Sequence, residues 1–156
     1  MTTEEKNKML EQIIGDDKSD LAKRVKIQCE VSIPDAAVKE KAWNDIVDPK
    51  STVSDVDKRA IMSGFWAGSQ YELTKPYADK YYEALKDFNK HFGYRQVESF
   101  IALMRPTHEI LDSHIVKMVT IKGNIPDTDS AYKKTLEENI ELLIRIKTLR
   151  EMAMQE

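Results

Sequence analysis

PYADKYYEALKDF, residues 76–88, settles the fold class. Its large apolar side chains, Tyr77, Tyr81, Leu85 and Phe88, recur at steps of four and three, the spacing that lines one face of an α-helix. A half-buried strand would alternate apolar and polar residues, and this stretch does not. The aromatic cluster, with Tyr82 beside it, therefore reads as core packing at helical spacing in preference to a ligand box.

The same spacing recurs on both sides. Leu21, Val25 and Cys29 form a stripe, followed by Val38, Ala42 and Ile46. Downstream come Val97, Phe100, Ile101 and Met104, then Leu111, Ile115, Met118 and Val119, then Tyr132, Leu136, Ile140 and Leu143. Glycines and prolines, among them Gly15, Pro34, Gly64, Pro76, Gly93, Pro106 and Pro126, cut the chain into segments of about 10 to 18 residues. Start signals agree with the stripes. Pro34 can occupy a first helical turn, with Asp35 beside the positive helix end. Ser54 with Asp57 has capping spacing, and Thr107 and Asp129 or Ser130 are candidate N-caps. No run of alternating β-branched residues is present. The expectation is an all-α fold of seven or eight helices. Short connections make neighbours antiparallel, so the helices should stack as hairpins in a HEAT-like αα-superhelix, with residues 1–156 forming one helical domain.

Composition limits function. Of 156 residues, 41% are hydrophobic and 33% charged, a balance expected of a soluble globular chain. The formal net charge is -3 with acids and bases interspersed, so no basic stripe for nucleic acid is expected. Cys29 is the only cysteine, which excludes an internal disulfide and a cysteine-rich zinc site, and it reads as core filling. No apolar run approaches the length needed to cross a bilayer, and a cytoplasmic protein is the simplest expectation.

One stretch invites a catalytic reading. MRPTHEILDSH, residues 104–114, spells His108-Glu109 and then Asp112 where an HExxH protease has its second histidine. On a helix, His108 and Asp112 would reach one zinc ion and Glu109 would serve as general base. His114 cannot replace the missing histidine, because six residues turn it about 240° from His108. A third ligand is also missing at the family's spacing, where Ala131 stands between Ser130 and Tyr132. The preferred reading is an ordinary helix, capped by Thr107, with Glu109 in its first turn. His91 reads as a cation near a helix C-terminus, and Asp16, Asp17, Glu137 and Glu138 as solvated acids. No catalytic, cofactor-binding or metal residue is therefore assigned on this chain.

A family resemblance gives more. In GFWAGSQYELTKPYADKYYEAL, residues 64–85, Gly64, Phe65, Trp66, Gln70, Leu73, Pro76, Tyr77, Tyr81 and Tyr82 resemble a stretch of the C-terminal helical domain of the aminopeptidase N family. These are zinc-dependent alanyl-type aminopeptidases. Upstream, DDKSDLAKRVKIQCEVSIPDAAVKEKAWNDIV resembles the family's Asp-rich turn, helix, and Pro and Lys leading to KAW. Downstream, FIALMRP resembles a helix end, and LLIRIKTLR the closing helix with two arginines, Arg145 and Arg150. The resemblance runs from about Gly15 to Arg150.

It implies a chain shorter than the family's complete C-terminal domain, either part of such an enzyme or an independent truncated homologue. In such an enzyme a separate catalytic domain carries the zinc, HExxH and a Gly-Xaa-Met-Glu-Asn loop that binds the peptide's free amine. None of these stands in this sequence, so no catalytic residue carries over. The expected role is a non-catalytic wall of the substrate chamber, with the catalytic domain and peptides as partners, and with neither nucleic acid nor membrane. Arg145 and Arg150 are expected first in structural salt bridges and second on a peptide carboxylate. The alternatives are a free-standing helical-repeat scaffold that binds protein or peptide, and an atypical zinc hydrolase using His108, Glu109 and Asp112.

Overall fold

The computed structural model describes residues 3–15, 17–67, 69–106, 108 and 110–154. The fold is all-α, and no strand occurs among the described residues. Among the described residues eight helices run ten residues or more, and two are single turns. The chain divides into two compact units, Met1–Lys75 and Pro76–Glu156.

The first unit holds α1 (Thr3–Ile14), α2 (Asp20–Val31), α3 (Ala36–Val47), α4 (Asp55–Phe65) and the single turn α5 (Tyr71–Thr74). Three side chains start its helices by accepting amide protons that a first turn cannot pair internally. Ser19 Oγ accepts from Ala22 at 3.1 Å, and Ser54 Oγ from Asp57 at 3.2 Å. Asp35 Oδ1 accepts from both Ala37 and Val38, at 2.8 and 3.1 Å. Pro34 thus precedes the cap and does not enter the helix. The carboxylate satisfies two amides, whereas proline in the first turn would only remove one.

Pair positions give the directions of these helices. Lys23 on α2 meets Asp57 on α4 at 2.8 Å, and further along Ser32 Oγ donates to the Gly64 carbonyl at 3.1 Å. Both numbers rise together, so α2 and α4 run parallel. α3 returns antiparallel to α4, with Lys39 near its start bonded to Phe65 at the end of α4. The approach of α2 to α4 depends on Gly64. A Cβ there would lie 2.3 Å from the Gln28 carbonyl oxygen and 3.0 Å from its carbon, backbone atoms that cannot swing aside. Trp43, Ile46, Met62 and Phe65 fill the space beneath, with the Trp43 and Phe65 rings 6.2 Å apart.

One stripe does not pack as expected. Leu21, Val25 and Cys29 are exposed, and Cys29 is not core filling. On α2 Ala22 and Val31 are buried instead, and Ile27 is half-buried. Near the end of the helix the backbone of Gln28 lies against α4 at Gly64.

The second unit holds α6 (Pro76–Leu85), the single turn α7 (Phe88–His91), α8 (Tyr94–Leu103), α9 (Asp112–Asn124), a 3-10 turn (Asp127–Asp129) and α10 (Ser130–Ala153). Here the stripes of α6, α8 and α10 are all buried, as their spacing predicts. Phe88 stacks on Phe100 at 4.0 Å and on Phe92 at 4.2 Å. Each fully buried ring of this kind contributes about 1.5–3 kcal/mol through area removed from water. Two buried tyrosines keep their hydroxyls satisfied: Tyr132 donates to the Leu85 carbonyl at 2.7 Å and Tyr81 to that of Ile101 at 3.3 Å. Asp112 pairs with Lys147 at 3.0 Å and Lys122 with Glu137 at 2.7 Å. As the α9 number rises the α10 number falls, so this hairpin is antiparallel. On α9 the stripe is only partly covered: Met118 is buried, while Leu111 and Val119 are exposed.

Candidate functional site

The first unit carries an open groove of about 700 Å³ between α2, α3, α4 and the segment before α4. Val31, Ile33, Ala42 and Ile61 form its buried floor. Ile27, Val38 and Val53 line it at half-exposed positions. Its charged groups all belong to the rim: Glu30 from α2, Lys41 and Asp45 from α3, and Asp57 from α4. Concave, mainly apolar sites of this size with few polar groups are the usual form of a ligand pocket.

The groove is held together at one end by Lys39. The side chain is completely buried, and its ammonium donates to the carbonyls of Val31 at 2.7 Å and Phe65 at 2.8 Å. Those are the last residues of α2 and α4, where the helix dipoles are negative, so two helix ends share one cation. Burial pushes the Lys39 pKa down to about 8, and the two carbonyls oppose that shift by favouring the charged form. Two further contacts reinforce the junction. Ser32 Oγ donates to the Gln28 carbonyl at 2.8 Å as well as to Gly64, and the Gln70 amide donates to the Ser32 carbonyl at 2.7 Å. At the other end of the groove Asp57 is held below the usual carboxylate range, chiefly by the hydrogen bond from Lys23.

The catalytic reading of residues 104–114 meets a different geometry. α9 begins at Asp112, so His108 does not share a helix with it, and the one-turn spacing that would aim both at one ion is not formed. Asp112 is 82% exposed and engaged with Lys147. The His108 carbonyl accepts from the Arg150 guanidinium at 3.3 Å. The residues present do not fit a zinc-binding helix. Thr107 and Glu109, one read as a cap and the other as a first-turn acid, lie outside the described residues. His114 is buried, stacks on Tyr82 at 5.1 Å, and accepts the Leu111 amide through Nδ1 at 3.4 Å.

The remaining sequence candidates are dispersed. His91 ends α7 and is exposed. Asp17 accepts the Ser19 amide at 2.9 Å, and Asp16 lies outside the described residues. Glu137 pairs with Lys122, and Glu138 lies 3.9 Å from Lys134. Arg145 is exposed on α10, and Arg150 bonds a backbone carbonyl where a salt bridge was expected. Among the described residues no three His, Cys, Asp or Glu side chains are grouped as a metal would require. No helix there is long and apolar enough to cross a membrane.

Sequence reasoning missed Lys39, although a signal was present. Lys39, Trp43 and Ile46 follow the four-and-three step of a buried helical face, and a lysine at such a position must find acceptors. The groove itself depends on how three helices cross, which no single stripe records. No model of a known protein family and no curated protein matches this chain.

Proposed function

We propose that this chain is a non-catalytic helical region of a zinc-dependent aminopeptidase, acting as part of the wall that encloses its peptide substrates. The single observation that supports this reading is the use made of the residues that carry the resemblance. Gly64 sits where no side chain fits, Phe65 is fully buried and accepts from Lys39, and Gln70 ties the end of α2. Lys39 is itself the lysine between proline and KAW. These are residues that fix a backbone junction, as expected of landmarks in a wall-forming domain without catalytic groups of its own.

In this reading the zinc and the water that attacks the first peptide bond belong to the catalytic domain, the partner of this region. The protein that contains it is cytoplasmic. Purified alone, the chain is expected to leave aminoacyl amides unhydrolysed. Hydrolysis that disappears in Glu109→Ala would overturn the proposal and favour a hydrolase centred on residues 108–112.

A second reading is favoured by the groove: a free-standing helical scaffold that binds a protein or peptide in it. The two separate on the native polypeptide. Continuity with HExxH and Gly-Xaa-Met-Glu-Asn sequences supports the aminopeptidase, and a polypeptide without them supports the scaffold.

A further inference from the structure

We draw no further inference here: the strongest candidate, the apolar groove between α2, α3 and α4 of the first unit, has its rim carboxylates Glu30, Asp45 and Asp57 already paired with Lys26, Lys41 and Lys23, and nothing in the structure shows what covers it.

Discussion

Replacing Lys39 with methionine tests the junction that holds α2, α3 and α4 together. Methionine keeps most of the side-chain volume and removes the ammonium, so the carbonyls of Val31 and Phe65 lose donors now 2.7 and 2.8 Å away. Hydrogen bonds to a charged group contribute about 1.5–3 kcal/mol each, and relief of burying the charge offsets part of the loss. A net destabilisation of about 2–4 kcal/mol at neutral pH is expected. The pH dependence has a definite sign. The folded pKa, about 8, lies below the ordinary value of 10.5, so between those values the unfolded chain binds more protons and stability rises with pH. Below about 8 both states are protonated and the contribution is flat. The advantage of the native chain over Lys39→Met should therefore grow between pH 8 and pH 10, by at most about 3 kcal/mol. Both tryptophans, Trp43 and Trp66, lie in the first unit, so urea unfolding followed by their fluorescence reports that unit. A difference between the two proteins that is negligible at pH 7, or that falls as pH rises, would refute the reasoning.

Other expectations are simpler. Gly64→Ala forces a methyl against the Gln28 backbone and should cost the first unit about 3 kcal/mol by the same fluorescence assay. Tyr132→Phe removes the 2.7 Å bond to the Leu85 carbonyl and should cost about 1–2 kcal/mol by urea titration of the far-ultraviolet circular dichroism. Asp112→Ala breaks an exposed pair and should change stability by no more than about 0.5 kcal/mol, with zinc content by elemental analysis negligible in both proteins. A near-stoichiometric metal lost in that variant would restore the hydrolase reading.

The second unit was the more legible half of the sequence. Tyr77, Tyr81, Leu85 and Phe88 repeat at helical steps and are all buried, as are the stripes of α8 and α10. Where the reading failed, the local pattern did not decide the outcome. Leu21, Val25 and Cys29 are spaced like a core stripe, but periodicity records only that a face is apolar, not that another helix covers it, and all three are exposed. The helix expected after Pro106 starts only at Asp112, and the His108 carbonyl instead meets Arg150, 42 residues away in sequence. Of the groove, Val38 and Ala42 were read as one apolar face. Its charged rim and the acceptors of its anchoring lysine depend on crossings between separate helices.

The central claim, that these helices serve a reaction carried out on a neighbouring domain, is tested most directly on the native protein. An antibody raised against this chain can recover it from the cells that make it, and mass spectrometry then gives its size and peptides. A polypeptide several times larger than 18.0 kDa, containing HExxH and Gly-Xaa-Met-Glu-Asn peptides, is the result expected. A native protein of 18.0 kDa lacking both would contradict the claim.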